Sequence, residues 1–328
     1  MSDTFKALVA RRDTDYSVAF EELGLADLGD GDVTVDVEYS TLNYKDGLAI
    51  TGSAPIAQKS PLVLGIDYAG TVASSDNPRF VPGDKVVLNG FGASEYLNGG
   101  YSQRARTAAD LLVKLPDTLN TRQAMAIGTA GYTAMLCVLA LEEGGLKPGD
   151  GDILVTGAAG GVGTVAISLL AGLGYSVVAS TGRPEESGFL RELGAADIID
   201  RAELGEAGKP LQKERWAGVV DSVGSHTLAN AVAQTRYGGT VAACGLAQGA
   251  DLPATVMPFI LRSVRLQGVD SVQAPLARRE LAWQRLASDL DIAKLEALSF
   301  ELPFDDLPSA GQDILAGKIR GRAIVSVK

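Results

Sequence analysis

The residues best suited to chemistry form a glycine-rich run in the middle of the chain. An apolar β-type run, 153–156, leads into Gly157-Ala-Ala-Gly160-Gly161-Val-Gly163, and a helix-like stretch, 164–173, follows. A second apolar run, 175–180, completes a strand, glycine turn, helix and strand in about 30 residues. Because glycines allow close approach and a helix N-terminus offers unpaired N–H groups, this unit predicts a pyrophosphate site. The predicted contacts are Ala159, Gly160, Gly161 and Val162.

The spacing of the loop is G-x-x-G-x-x-G, so a glycine-rich turn of another α/β protein, such as a methyltransferase, stays open on the loop alone. The end of the second strand is more informative. NAD sites usually carry an acidic residue there, about 20 residues beyond the loop, to bind the ribose 2′-hydroxyl. This chain has Ser180, Thr181, Gly182 and Arg183 instead. Hydroxyls and a guanidinium suit a 2′-phosphate, which predicts NADP rather than NAD.

Composition limits the partners and the compartment. Among 328 residues, 29 Lys and Arg stand against 40 Asp and Glu, a net charge of −11, which argues against nucleic acid and anionic membranes as partners. The two cysteines, Cys137 and Cys244, lie in apolar contexts and are expected to be free thiols in a reducing compartment. The N-terminus has no apolar signal core, and the apolar stretch near 153–180 is explained by the glycine unit. We therefore expect a cytoplasmic enzyme without a membrane span.

The chain divides into three segments by its periodicity. Residues 1–120 are rich in short β-type runs, such as the period-two alternation at 32–42, and predict a compact, barrel-like substrate domain. Residues 121–273 alternate strands and helices, as in a doubly wound parallel sheet (Rossmann) domain that binds NADP. Residues 274–328 are expected to return to the substrate domain through a final strand at 323–327. The predicted fold class is α/β, with a Rossmann domain and a β-rich domain.

Ligands of doubly wound sheets bind beyond the carboxyl ends of the strands. Arg201 follows the third predicted strand, so we expect it beside Arg183 at the adenosine end. Leu246 follows the strand at 239–244 and Ser271 the strand at 264–269, and both are predicted to present backbone groups to the nicotinamide carboxamide. For Leu246, packing in the core is an almost equal alternative.

The chain resembles the medium-chain dehydrogenase/reductase superfamily over its whole length. Within it, the resemblance is to the zinc-free, quinone-reductase-like branch and to its acrylyl-CoA reductases. The segments that carry it include Val81-Pro-Gly-Asp-Lys85, Gly128-Thr-Ala-Gly-Tyr132, Ser40-Thr-Leu-Asn-Tyr-Lys-Asp46, Cys244-Gly-Leu246, Met257-Pro-Phe-Ile260 and Gly268-Val-Asp-Ser271.

The resemblance implies a GroES-like substrate domain and a homodimer. It also implies NADPH-dependent reduction of a small acyl-CoA, acryloyl-CoA to propanoyl-CoA. It further places Tyr44, Ile260 and Arg322 at the cofactor, with core packing again an alternative for Ile260.

The residues themselves argue against two other dehydrogenase chemistries. A catalytic zinc needs three protein ligands, and this chain has one histidine, His226, and two distant cysteines. It reads Gly65-Ile66-Asp67 where zinc-dependent relatives carry Gly-His-Glu. None of the nine tyrosines is followed by a lysine four positions later, so the short-chain dehydrogenase mechanism is excluded as well.

The remaining chemistry is hydride addition to an activated alkene. A thioester withdraws electrons, so hydride from NADPH can reach the β-carbon while charge develops on an enolate oxygen, which fixed donors stabilise. Tyr44 is the candidate catalytic residue and cofactor contact, although it could pack as structure alone. Asn43 and Asp46 read as capping residues and Asp67 as a partner of backbone groups. A quinone or enone reductase of the same fold, or a non-catalytic NADPH-binding protein, stays open.

Overall fold

The computed structural model describes residues 4–12 and 14–328. The strands are β1 Thr4–Arg12, β2 Tyr16–Gly24, β3 Val33–Thr41, β4 Leu62–Val63, β5 Asp67–Ser75, β6 Lys85–Asn89, β7 Arg104–Thr107, β8 Val113–Lys114, β9 Asp152–Val155, β10 Ser176–Thr181, β11 Asp197–Asp200, β12 Trp216–Asp221, β13 Thr235–Ala243, β14 Arg265–Gly268, β15 Ser299–Pro303 and β16 Arg322–Ser326. The helices are α1 Tyr44–Thr51, α2 Thr121–Glu143, α3 Gly161–Gly172, α4 Ser187–Leu193, α5 Ala202–Gly205, α6 Ser225–Gln234, α7 Met257–Arg262, α8 Leu276–Asp289, α9 Ile292–Leu298 and α10 Leu307–Leu315.

The chain forms two compact units. The first, which we call the barrel unit, comprises 1–129, 272–287 and 295–328, and the second, the nucleotide unit, comprises 130–271 and 288–294. Compared with the predicted division at 120 and 273, the barrel unit takes the first part of α2, and the nucleotide unit takes a short segment around the start of α9.

The barrel unit is built on a mostly antiparallel sheet in which β3 is central and the edge strand β15 is parallel to β16. The sheet runs β15-β16-β3-β5-β6-β8, with β7 also paired to β3, and a smaller sheet runs β2-β1-β4. Val33, Val35 and Val37 alternate along β3 and enter the core, as a period-two pattern requires. The C-terminal strand joins this sheet directly, because β16 lies antiparallel to β3 with Ile324 opposite Thr41.

The nucleotide unit is a parallel six-stranded sheet in the order β11-β10-β9-β12-β13-β14. In chain order this is 3-2-1-4-5-6, the arrangement of dinucleotide-binding sheets. The chain adds strands on one side of β9 first and then, from β12 onward, on the other side. Leu154, Val178 and Val219 from three neighbouring strands share one buried cluster. The switch point is therefore at the carboxyl ends of β9 and β12, immediately before the glycine loop.

Helix α2 is long and apolar enough to cross a membrane by length and composition alone, but 89% of its most apolar window is buried inside the protein. A core helix passes the same test. The helix is interrupted at Gly128, whose φ of 53° and ψ of −167° lie outside helical values. This interruption separates the two helical stretches that the sequence predicts at 123–127 and 132–143.

Candidate functional site

The glycine loop connects β9 to α3 at the carboxyl edge of the parallel sheet. A Cβ on Gly163 would lie 2.5 Å from the carbonyl oxygen of Gly157 and 2.7 Å from the Cα of Ala158, so that position accepts only glycine. Gly160 caps α3, and among the described residues no side chain caps this helix end. The first N–H groups of α3, with the positive end of the helix dipole, are therefore available to an anion.

Arg183 and Arg201 follow β10 and β11 at the carboxyl edge of the parallel sheet. The side chain of Arg201 lies over Gly182, since a Cβ there would lie 2.3 Å from its Nε. Arg183 follows directly, and its backbone N–H donates to Thr181 Oγ1 at 3.1 Å. Within the described part of the chain, neither guanidinium forms an ion pair or a hydrogen bond. Two uncompensated positive charges at one edge suit a dianionic phosphate.

The two hydroxyls predicted to accompany Arg183 are not equivalent in the structure. Ser180 and Thr181 are neighbours on β10, so their side chains point to opposite faces of the sheet. Ser180 is only 1% exposed and Thr181 7% exposed. The Thr181 hydroxyl already orders the Arg183 backbone. The guanidinium groups of Arg183 and Arg201 are therefore accessible to a ligand, whereas the hydroxyls of Ser180 and Thr181 are buried.

The predicted contacts farther along the sheet lie after the expected strands. Leu246 follows β13, and its Cα lies 3.2 Å from the position that a Cβ on Gly224 would take, beyond the end of β12. Leu246 is 65% exposed and Ile260, on α7, is 71% exposed, so the alternative that they pack in the core is wrong. Ser271 is half-buried beyond β14. The thiol of Cys137 is buried, whereas that of Cys244 is only half-buried.

Asp221, which the sequence analysis does not single out, joins the loops at the switch point. Its Oδ1 accepts from Thr156 Oγ1 at 2.7 Å, and its Oδ2 accepts from the backbone N–H of Gly224 at 2.9 Å. Burial raises the pKa of this carboxyl, and the hydrogen bonds oppose that effect. Its position at the end of an apolar strand, before Ser-Val-Gly, is the signal that could have identified it. The carboxylate fixes the backbone that supports the glycine loop.

Tyr44 is the first residue of α1 in the barrel unit, and its ring is 61% exposed. The residue before it, Asn43, caps the helix, and its N–H donates to Asp46 Oδ2 at 2.8 Å. The predicted capping roles of Asn43 and Asp46 are therefore observed. The exposed Tyr44 hydroxyl therefore lies at the N-terminus of a helix whose first turn is fixed by the capping hydrogen bond between Asn43 and Asp46.

Beneath Tyr44 lies a buried polar cluster formed by Asp46, Asp67 and Arg322, none of them more than 3% exposed. Asp67 Oδ2 accepts from the Thr129 N–H at 2.7 Å, a group that the interruption of α2 at Gly128 leaves outside the helix. Asp67 thus satisfies a backbone group, as expected, although it begins β5 rather than following a strand.

The charges in this cluster perturb one another. Burial raises the pKa of Asp46 to about 7, and the charge of Asp67 contributes in the same direction. Burial also raises the pKa of Asp67, while the nearby Arg322 charge partly opposes the rise. Burial lowers the pKa of Arg322.

Arg322 was predicted as a cofactor contact, and the structure places it in the barrel unit. Its Nε donates to the Ala126 carbonyl oxygen at 2.9 Å, and its Nη2 donates to Thr41 Oγ1 at 3.3 Å. These contacts are internal to the barrel unit. Its assignment to the cofactor stays a prediction.

The comparisons with known proteins agree with this architecture. Residues 161–288 match the family described as zinc-binding dehydrogenase, and residues 29–117 match the alcohol dehydrogenase GroES-like domain. Acrylyl-CoA reductase AcuI of Ruegeria pomeroyi is 55% identical over 327 residues, which cover 98% of this chain and 99% of the relative. The chain belongs to the medium-chain dehydrogenase/reductase superfamily. It is accordingly an oxidoreductase with a Rossmann-type sheet and a GroES-like domain, as the sequence predicts.

Two solved structures of this superfamily resemble the chain over nearly its full length. The yhdH oxidoreductase of Salmonella enterica, in complex with NADP, is 49% identical with a TM-score of 0.96, and the match covers 98% of this chain and 100% of that one. The yhfP protein of Bacillus subtilis, with NAD bound, is 44% identical with a TM-score of 0.95, and the match covers 99% and 100%. Relatives of nearly the same fold have therefore been crystallised with different nicotinamide cofactors.

The family description mentions zinc, so the arrangement of possible ligands matters. Across residues 4–12 and 14–328, no group of three or more His, Cys, Asp or Glu side chains is placed to hold a metal ion. His226, the single histidine, lies half-exposed in the first turn of α6.

Proposed function

We propose that this protein reduces the carbon–carbon double bond of a small α,β-unsaturated acyl-CoA with NADPH, converting acryloyl-CoA to propanoyl-CoA. The 55% identity to acrylyl-CoA reductase AcuI over 98% of this chain supports the reaction and the acyl-CoA class. The uncompensated pair Arg183 and Arg201 supports the cofactor and is the observation that carries the proposal.

The residues of the nucleotide unit fit two parts of NADP, its pyrophosphate and its 2′-phosphate. The uncapped N-terminus of α3 is suited to the pyrophosphate, and glycine at 163 allows the first turn of α3 to lie directly against residues 157 and 158 of the loop. At the end of β10, where an NAD site would carry a carboxylate, the chain has Arg183, with Arg201 beside it. These guanidinium groups would hold the 2′-phosphate, and the Salmonella relative has been crystallised with NADP.

When bound, NADPH supplies the hydride that adds to the β-carbon. The contribution of the protein is to orient the alkene and to stabilise the charge that develops on the thioester oxygen. The exposed Tyr44 hydroxyl is the proposed donor to that oxygen or, by proton transfer, to the α-carbon. No zinc is proposed in the reaction, because Ile66 stands where zinc-dependent relatives have a histidine ligand.

The experiment is a steady-state comparison of acryloyl-CoA, crotonyl-CoA and a simple quinone with NADPH and with NADH. The proposal predicts the highest kcat/KM for acryloyl-CoA with NADPH. Turnover of the quinone alone would indicate a quinone reductase of the same fold. NADPH binding without oxidation by any of the three would indicate a non-catalytic binding protein.

Two further predictions accompany the proposal. We expect a homodimer, by resemblance to the family, and a cytoplasmic location, from the cysteine usage. Sedimentation of the purified protein and fractionation of the source cells test them.

A further inference from the structure

The buried cluster of the barrel unit contains more negative than positive charge. Asp46 from α1 and Asp67 from β5 are both fully buried, and Arg322 from β16 is 3% exposed. The other titratable group that faces the two carboxyls is Tyr101, which precedes β7 and whose hydroxyl donates to the Thr41 carbonyl oxygen. Two ionised carboxylates against one guanidinium would leave a net buried charge, which is costly in a protein interior. One retained proton balances the cluster.

The hydrogen bonds of both carboxyls converge on the residue before Tyr44. The Asn43 amide donates to Asp46 Oδ2 at 3.0 Å and to Asp67 Oδ2 at 3.3 Å. Asp46 also accepts from the Asn43 and Ile66 backbone N–H groups, which ties the start of α1 to the segment entering β5. The start of α1 is thus tied to both carboxyls, directly through Asp46 and through the Asn43 side chain to Asp67.

One oxygen of the pair has no hydrogen-bond partner. Asp67 Oδ1 is buried without one among the described residues. Its Oδ2, by contrast, accepts from the Thr129 N–H and from Asn43. Capping α1 requires only one carboxyl. The second buried carboxyl, with one oxygen that accepts no hydrogen bond, therefore needs another explanation.

We propose that Asp46 and Asp67 act as a positioning pair for Tyr44: together they retain one proton at neutral pH, and in that state they hold the start of α1 so that the Tyr44 hydroxyl is correctly oriented. This inference rests on the proposed function, because it takes Tyr44 as the donor in the reduction. Loss of the last proton leaves two like charges against one guanidinium, which repel and loosen the helix start. The pair titrates as a unit, with no assignment of the proton to either carboxyl.

Asp67→Asn separates this role from simple packing. The Asn oxygen can keep the hydrogen bonds from Thr129 and Asn43, and the new amide nitrogen takes the place of the unpaired Oδ1. The substitution removes one charge and leaves a single carboxylate opposite Arg322. Asp46→Asn is less suitable, because both Asp46 oxygens accept hydrogen bonds and one of them would be lost.

The test is the pH profile of kcat for acryloyl-CoA reduction at saturating NADPH. For the wild type, kcat is expected to fall as pH rises from 7 to 9, and Asp67→Asn should abolish this fall, because its single carboxylate opposite Arg322 is already in the charge-balanced state. Tyr44→Phe should remove the effect, so that adding Asp67→Asn to it changes kcat no further. Asp36→Asn, an exposed carboxylate on the same sheet, is the matched control and should keep the wild-type profile. Identical profiles for wild type and Asp67→Asn overturn the proposal.

A second readout does not depend on activity. The infrared difference spectrum of wild type minus Asp67→Asn at neutral pH should contain the C=O stretch of a protonated buried carboxylic acid, which disappears at alkaline pH. Absence of that band overturns the pair even in a protein that reduces acryloyl-CoA. Presence of the band in a protein that turns over no alkene rejects the proposed function but not the shared proton.

If Asp67→Asn does not fold, Asn43→Ala removes the bridging amide instead. It should lower kcat at least tenfold without changing NADPH affinity, and an unchanged kcat would overturn the positioning role.

Discussion

Replacing Arg183 by alanine should reduce affinity for NADPH far more than affinity for NADH. In the structure the Arg183 guanidinium pairs with no carboxylate among the described residues, so its removal leaves no buried charge uncompensated. The loss is then confined to the 2′-phosphate, which NADH lacks. A charge-assisted hydrogen bond contributes about 1.5–3 kcal/mol, which corresponds to about a 10- to 150-fold increase in the Kd of NADPH. Arg201 remains in place, so the lower half of this range is expected.

The assay is fluorescence titration of both reduced cofactors against the variant, with thermal unfolding as a check on folding. Arg191→Ala is the matched control. It lies on α4 in the same unit, and its guanidinium already contacts Asp197 at 3.8 Å and the Ala196 carbonyl oxygen. We expect the Kd of NADH to change less than twofold in either variant. Equal losses of NADPH and NADH affinity in Arg183→Ala would refute the assignment of the 2′-phosphate to this corner.

Three further outcomes follow from the geometry. Gly163→Ala should abolish binding of both NADPH and NADH and destabilise the protein by about 1–3 kcal/mol, because its Cβ would meet the Gly157 carbonyl oxygen at 2.5 Å. Fluorescence titration measures the binding and urea unfolding measures the stability. Loss of NADPH binding with NADH binding retained would contradict the prediction. Burial raises the pKa of Asp46 to about 7 and also raises the pKa of Asp67 in the folded state, so the stability contributed by the protonated pair is present below pH 4 and is lost as pH rises through 7. In urea unfolding at pH 5 and pH 8, the free energy of unfolding of Asp67→Asn should decrease with pH less than that of the wild type. An equal decrease in the two proteins would contradict the prediction. Tyr44→Phe should lower kcat with acryloyl-CoA, measured at saturating NADPH; a full wild-type kcat would remove Tyr44 from the chemistry.

Much of the nucleotide unit follows from local sequence patterns. Apolar runs with glycines between them identify β9, β10 and α3 within a few residues, because central parallel strands are buried on both faces and are therefore continuously apolar. The placement of Arg183 and Arg201 at one edge of the sheet also follows, since carboxyl ends of parallel strands lie together. The opposite orientations of Ser180 and Thr181 follow from the strand period, although both residues are predicted as cofactor contacts.

The barrel unit is predicted less completely, because its elements depend on distant partners. Strand β2 mixes polar and apolar residues on an edge, and β15 is recognisable only once β16 pairs with it. Helix α1 is eight residues long and contains a glycine, too short for a clear helical period. Its capping residues at 43 and 46 are the signal that the sequence provides.

The buried carboxyl pair could not be found from the sequence. Residues 46, 67 and 322 come from three separate segments, and only the sheet brings them together. The departure at Gly65-Ile66-Asp67 from a zinc-ligand motif marks the place but not the role. Burial, which perturbs these groups most strongly, is a tertiary property.

The most direct test of the central claim follows deuterium from NADPH labelled at C4 into the product formed from acryloyl-CoA. Hydride addition to the β-carbon predicts one deuterium at that carbon of propanoyl-CoA and solvent hydrogen at the α-carbon, measured by mass spectrometry and NMR. A product without label at the β-carbon, or no product from acryloyl-CoA at all, would contradict it.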